Sequence, residues 1–514
     1  MVLNNMPLNN KYLKNANFGL QATIVIGILI VVNFFSYQIF YRWDLTQNKD
    51  YSLSSVSKKT VADLTDVVSI KAYFSTDLPA QFVNLRQEVG DILDEYVSYS
   101  GGKLRVEFID PGNDQTTQQD LYLQGIPQLQ FNALEKDKYQ VVNGYLGLVI
   151  RFGAKTQVIP VIQDTNGLEY QITSAIKKVT SKQIAVVGFW QGNGTADTTK
   201  DITAAYKKLS DLYDVRTINF AADKAIPGEI KTLIIVGPTA PFNDTELKAI
   251  DAFLMRGGSL LVLVDGIKVG SNLTAEKNDV GLNKLLTAYG VTVNNDLVLD
   301  ASNGMASFTQ GFITFSTNYP FWPKVINQDF DQNNVATAKL ESVVLPWASS
   351  LDIQVNKLKG NQVSYLMKTT NHARLEKDNF NLNPQADFFS LGQTGQFNLA
   401  VALSGKFSSA YNQASTDSGR LIVVGDSDFI HDNFLNNNPD NLVLFQNLVD
   451  SLSLGDDLIS IRSKGITDRP IKELSDTMKL TVRYLNIFGL TVIVILFGVI
   501  RYFLRRRNRF IDEI

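Results

Sequence analysis

The segment "YLNIFGLTVIVILFGVI" at 484–500, followed at once by "RYFLRRRNR", constrains this chain of 514 residues more than any other feature. A bilayer core of roughly 30 Å is crossed by about 20 apolar residues in a helix. Tyr484 to Ile500 offers seventeen residues without a charge, and Tyr502, Phe503 and Leu504 extend the run if Arg501 snorkels. A second run, "FGLQATIVIGILIVVNFFSYQIF" at 18–40, has no charged residue between Lys14 and Arg42. A buried core helix is the alternative for either run, yet neither shows the polar stripe of a helix on a domain surface. The sequence therefore predicts transmembrane helices over 18–41 and 484–504.

Lys and Arg close to each span set the orientation. Arg505, Arg506, Arg507 and Arg509 place the basic tail 505–514 inside, and Lys11 and Lys14 place 1–17 inside as well. The expected protein spans the cytoplasmic membrane twice, with both termini cytoplasmic and 42–483 outside. A cleaved signal peptide is the rival for the first span. Its apolar run is long for such a segment, and "YRWDLTQ" after it lacks a small-x-small cleavage site, so an uncleaved anchor is expected.

Composition excludes several classes of function. Charged residues make up 19% and the formal net charge is −3, which leaves no nucleic-acid footprint. The chain has no cysteine, so disulfide frameworks, thiol nucleophiles and zinc–thiolate sites are all absent. Only His372 and His431 offer imidazole. No cofactor, metal site or catalytic residue is predicted.

The region outside the two spans is long enough for two or more domains. In 42–181, "SLSSVSKKTVADL" reads as a capped helix, then "VVSIKAYFS", "QFVNLRQEVGDILDEYVSYS" and "KLRVEFIDP" as a β-α-β unit. With the later strands "QLQFNALEK", "YLGLVIRFG" and "KTQVIPVI", the order resembles a thioredoxin-like fold. Beyond the helix "LEYQITSAIKKVTS" the alternation restarts. "KQIAVVGFW", "KTLIIVGP" and "SLLVLVDG" are buried strands separated by helices, which predicts a doubly wound parallel sheet over 182–300. From 301 to 392 the rhythm fails, and this stretch is expected to be an insertion of unknown fold. The α/β pattern returns over 393–470 with "GQFNLAVALSGKF", "GRLIVVGDSDFI" and "NLVLFQNLVDSLS"; 471–483 is a juxtamembrane segment.

Two loops at strand ends draw chemical interest. "GDSDF" at 425–429 suggests a hydrolase with Ser427 as nucleophile, His431 as base and Asp426 or Asp428 as orienter. These residues sit within one turn of each other, whereas serine hydrolases gather their triad from distant segments. The alternative is a polar loop at the carboxyl edge of the sheet, a common ligand position, with Asp426 and Asp428 as contacts. "GFWQGNGTAD" at 188–197 matches neither G-x-G-x-x-G nor a P-loop, which argues against ATP hydrolysis by this chain. It is a turn, or a ligand contact through Gln191, Asn193 or Asp197. Trp322 and Trp347, beside prolines, fit a satellite core or a sugar-stacking platform.

Several segments together carry a family resemblance: "RWDLTQNKDYSLSSVSKKTVADLTDVVSIKAYFSTDLPAQF", "YGVTVNNDLVLD", "GRLIVVGDSDFI" and "LGDDLISIRSKGITDRPI". Over about 18–507 the chain resembles the auxiliary component of uncharacterised ABC transport systems associated with gliding motility, the GldG-like family. The resemblance implies an amidotransferase-like α/β domain without the catalytic cysteine. It also implies a membrane-anchored, non-catalytic partner, substrate-binding or coupling, of an ABC permease and a separate cytoplasmic ATPase; the alternatives are a cell-envelope hydrolase using the 425–431 loop and a stand-alone surface scaffold or adhesin. Where the family often carries a "GHGE"-like stretch, this chain has "QGNG".

Overall fold

The structure is a computed structural model that describes residues 24–29, 31, 52–453 apart from short internal breaks, 461 and 476–509. The chain divides into two units, Met1–Ile466 and Thr467–Ile514. Most of the first expected span lies outside the described residues; 24–29 and 31 are helical and exposed.

The first unit begins with α1 (Ser55–Ala62), β1 (Val68–Phe74), α2 (Val83–Tyr99), β2 (Leu104–Ile109) and α3 (Gln115–Gln124). Strands β3 (Leu129–Glu135), β4 (Lys138–Gly144), β5 (Leu146–Phe152) and β6 (Lys155–Ile159) and helix α4 (Leu168–Thr180) follow. Ser54 starts α1 by accepting the Ser57 N–H, the role its hydroxyl suits. The sheet order is β2-β1-β5-β6, with β1 parallel to β2 and antiparallel to β5. Among the described residues, strands β3 and β4 pair only with each other. Ile70, Phe74, Leu93, Ile150, Ile172 and Ile176 fill one core beneath α2 and α4. Glu169 of α4 accepts the Ser54 N–H and the Ser57 hydroxyl, each at 2.6 Å, while Tyr96 of α2 bonds the Thr173 hydroxyl at 2.5 Å. These bonds tie α1, α2 and α4 together.

A larger sheet follows. Its parallel strands are β7 (Val186–Gln191), β8 (Asp214–Asn219), β9 (Ile230–Val236) and β10 (Ser259–Leu263), interleaved with α5 (Thr203–Ser210), α6 (Phe220–Asp223) and α7 (Asp244–Met255). The capping box of Asn243 and Glu246 starts α7. Beyond it lie β11 (Ile267–Val269), β12 (Ala275–Lys277), α8 (Asn283–Leu286), β13 (Val291–Val293) and β14 (Leu297–Leu299). Next come β15 (Asn303–Gln310), β16 (Ile313–Ile326), β17 (Ser342–Val344), β18 (Leu351–Ile353), β19 (Asn361–Lys368) and β20 (Arg374–Glu376). The unit closes with β21 (Asn398–Ser408), β22 (Ser415–Val424), α9 (Asp432–Leu435) and α10 (Pro439–Ser453).

The strand order is β13-β18-β21-β22-β10-β9-β7-β8, with β19 also on β21. The half from β22 to β8 is parallel, and successive residues feed two buried faces. Val187, Ile234, Leu261 and Val424 meet Leu209 of α5 and Leu448 of α10; Val186, Leu233, Leu260 and Val423 meet Leu247 and Ile250 of α7. That double burial explains the continuous apolar runs in these strands.

The other half departs from the expected all-parallel sheet. Strand β21 runs antiparallel to β22 because only the turn around 409–414 joins them, and a connection that short makes a hairpin. Strands β18 and β13 are antiparallel too, so the sheet is mixed. Residues 301–392 contribute β18 and β19 to it and build the β15–β16 hairpin with β17 at its side. Trp322, Trp347 and Phe434 stack edge to face with one another, at centroid distances of 5.2–5.7 Å. These tryptophans thus pack within the fold.

The second unit is α11 (Asp476–Arg509), whose apolar residues such as Leu485, Phe488 and Ile495 are exposed. Among the described residues no single helix is long and apolar enough to cross a membrane. Thr477–Gly489 and Val494–Tyr502 meet that requirement together, as a pair bent by 48°.

Candidate functional site

The parallel strands end along one edge, and there the side chains become polar. Leu263 and Val424 are the last paired residues of β10 and β22. Asp265 and Asp426 each lie two residues further on, so the register of two neighbouring strands sets these carboxylates side by side. The chain then turns through Asp428–Ile430 in a single 3-10 turn, which adds Asp428. Carboxylate oxygens of Asp265, Asp426 and Asp428 all lie within 4.8 Å of one another.

Close backbone packing holds this edge. Ser349 donates its N–H to the Gly425 carbonyl at 2.7 Å, and its hydroxyl accepts the Gly266 N–H at 3.0 Å. A Cβ on Gly425 would stand 2.1 Å from the Ser349 carbonyl oxygen, so no larger residue fits. Ser427 donates its N–H to Asp265 Oδ1 at 2.8 Å and its hydroxyl to Asp265 Oδ2 at 2.6 Å.

Burial pushes the Asp265 carboxyl above its usual range, although the two bonds from Ser427 oppose the shift. Asp426 goes well above that range, first through burial and then through the neighbouring charges of Asp265 and Asp428. Asp428 rises for the same two reasons, burial and Asp265. Burial lowers His431 below its ordinary value, against the pull of Asp265, Asp201 and Asp432. Three carboxylates this close do not all ionise without a compensating positive charge.

The hydrolase arrangement is not assembled here. A serine nucleophile gives its hydroxyl proton to a base, whereas Ser427 gives its hydroxyl to Asp265 and is 2% exposed. His431 Nε2 is buried and makes no hydrogen bond among the described residues.

The loop after β7 is braced internally. Asn193 has a left-handed φ of 53°. It accepts from Trp190 Nε1 at 2.9 Å and donates to the Pro241 carbonyl and to Glu246 Oε2, both at 3.0 Å. Gln191 donates to the Ala196 carbonyl at 3.2 Å. Asp197 accepts from the N–H and hydroxyl of Thr199, which hold it below the usual carboxylate range. These three residues share the carboxyl edge with Asp426 and Asp428, but β9 and β10 stand between the two groups. Sequence reasoning passes over Asp265. The available signal is "VDG" at the end of an apolar strand, the counterpart of "VGD" at 424–426.

Comparison with known proteins places this edge in context. The family described as "ABC-type uncharacterized transport system" matches residues 185–452, more than half of the chain. The chain belongs to that family. As a member of the ABC-type uncharacterized transport system family, it carries the acidic edge within the family's matched region. Residues 47–151 match a separate domain of unknown function, DUF7088. An uncharacterized protein of Borreliella burgdorferi (strain ATCC 35210 / DSM 4680 / CIP 102532 / B31) is 23% identical over 97% of this chain and 100% of its own length. Among solved structures, the mmIFT52 N-terminal domain is similar at 19% identity with a TM-score of 0.34, over 52% of this chain and 96% of its own. A β-galactosidase from Rahnella sp. R3 gives 12% identity and a TM-score of 0.26, over 56% of this chain and 34% of its own.

Proposed function

We propose that this chain is a membrane-anchored, non-catalytic auxiliary subunit of an ABC transporter, whose large extracytoplasmic region binds a substrate or another subunit. The observation that carries this reading is the family match across 185–452. A relative aligned over 97% of this chain and all of its own length has the same succession of segments over nearly the whole sequence. The exposed apolar face of α11, with four arginines at 505, 506, 507 and 509, supports an anchor whose tail is cytoplasmic. The chain has no P-loop signature, so a separate ATPase provides ATP hydrolysis, and a permease is the natural neighbour of the helices.

Within this reading the chain is of the GldG-like kind, linked to gliding motility or envelope transport. Its first domain is thioredoxin-like and its second amidotransferase-like. Movement in the permease would pass through the two helices to the outer domains. The test is a mild-detergent pull-down of the full-length protein from its native membrane. Co-purification of an ABC permease and its ATPase is the expected result. If neither is recovered under conditions that keep other transporters intact, the reading fails.

A further inference from the structure

The acidic edge holds a feature that sheet packing does not require. Asp426 is completely buried, and its Oδ1 accepts the Asp428 N–H at 2.8 Å. Its Oδ2 is buried as well and accepts no hydrogen bond among the described residues. A buried carboxylate oxygen without a donor is strongly unfavourable unless something positive faces it. Two further carboxylates, from Asp265 and Asp428, converge on the same place within 4.8 Å. Packing alone would favour apolar side chains here.

We propose that Asp265, Asp426 and Asp428 together bind one hard divalent cation of the calcium or magnesium class. The donor set is all oxygen, which suits such ions. Oxygens on opposite sides of a calcium ion stand about 4.6–5.2 Å apart, so a cluster within 4.8 Å fits its first coordination sphere, whereas magnesium, whose oxygens stand at most about 4.2 Å apart, would draw the three carboxylates closer together. Asp265 and Asp426 occupy equivalent positions two residues beyond the ends of paired strands, and the two bonds from Ser427 fix the Asp265 carboxylate as an outer-sphere partner would. The ion would pin the ends of β10 and β22 to the turn that leads into α9. It would thereby fix the loop edge on which an α/β sheet presents its ligands.

The rival state is a cluster held neutral by shared protons. The two are separated with full-length protein purified in detergent, stripped with EDTA and dialysed against calcium, magnesium or manganese. Bound metal is counted by elemental analysis, and the thermal midpoint is followed for each ion. One ion per chain and a midpoint raised by at least one of the three cations are expected. Asp426→Asn and Asp428→Asn should each weaken that ion by at least tenfold, while the exposed Asp417→Asn leaves it unchanged. Failure to retain any ion, with Asp426→Asn stabilised equally in EDTA and in cation, would overturn the site in favour of shared protons. Should the variants not accumulate as folded protein, the ion count of the unmodified chain decides alone.

Discussion

Asp432 accepts the backbone N–H of Thr203 at 3.0 Å and of Ala204 at 2.9 Å, and so caps a helix that begins 229 residues earlier in the chain. Helix α5 has no capping side chain of its own at Ile202. The cap arrives from the segment after β22, and the Asp432 N–H returns to the Asp201 carbonyl at 2.9 Å. The turn at 425–431 and the loop after β7 are thereby joined through α5.

Asp432→Ala should cost about 0.5–2 kcal/mol, the usual worth of an N-cap, measured by urea denaturation. Burial pushes the Asp432 carboxyl upward, but the bonds from Thr203 and Ala204 outweigh it and hold the group below its usual value. A depressed folded-state value means this contribution is present above the ordinary carboxylate range and is lost as pH falls through the lower value. The gap between Asp432→Ala and the unmodified chain should therefore close in acid. A gap that stays constant from neutral pH down through the carboxylate range would contradict the capping role.

Gly237→Ala tests how tightly the carboxyl edge is built. Gly237 has φ of 53°, and a Cβ there would stand 2.6 Å from the Ser427 hydroxyl oxygen. Backbone strain and overpacking together predict a loss of about 1–3 kcal/mol. Removing the obstructing side chain with Ser427→Gly should relieve part of it, so the double variant should lose less than the sum of the singles. Strict additivity in thermal or chemical unfolding would show that the two residues do not press on each other.

What could be read in advance follows from the range of the forces involved. The strands "LIIV", "SLLVLV" and "RLIVV" are legible because burial on both faces leaves uninterrupted apolar runs. The Asn243–Glu246 capping box is legible because its partners are three residues apart. The antiparallel half of the large sheet is not, since a strand's direction depends on the connection around it rather than on its own composition. Asp265 escapes notice for a similar reason. Its meaning depends on Asp426, 161 positions away by their numbers, and only strand register brings the two together. The loop at Gln191, Asn193 and Asp197 looks polar and free as sequence, yet its amides are spent on Trp190, Pro241, Glu246 and Ala196.

Asp251 provides a test away from the candidate site. It is 1% exposed and accepts the Tyr289 hydroxyl at 2.7 Å, the Ser409 hydroxyl at 2.6 Å and the Ala410 N–H at 2.9 Å. These bonds anchor the β21–β22 turn to α7. Asp251→Ala strands the buried Tyr289 hydroxyl and releases two partly buried donors of the turn at once, and should cost about 2–4 kcal/mol, whereas Tyr289→Phe removes a single donor and should cost about 1 kcal/mol. Equal losses for the two variants in equilibrium unfolding would mean the turn does not depend on Asp251.

The absence of cysteine makes the proposed topology directly measurable, because one introduced thiol is the only thiol in the chain. Ser98→Cys lies on an exposed turn of α2, within the region proposed to be outside the membrane. Asn508→Cys lies among the arginines proposed to be cytoplasmic. With a membrane-impermeant maleimide, Ser98→Cys should label in spheroplasts and Asn508→Cys only after lysis, and both proteins should stay with the membrane through alkaline carbonate extraction. The reverse labelling order would invert the orientation set by the basic residues. Release by carbonate would remove the anchor itself and, with it, the basis for placing the helices against a permease.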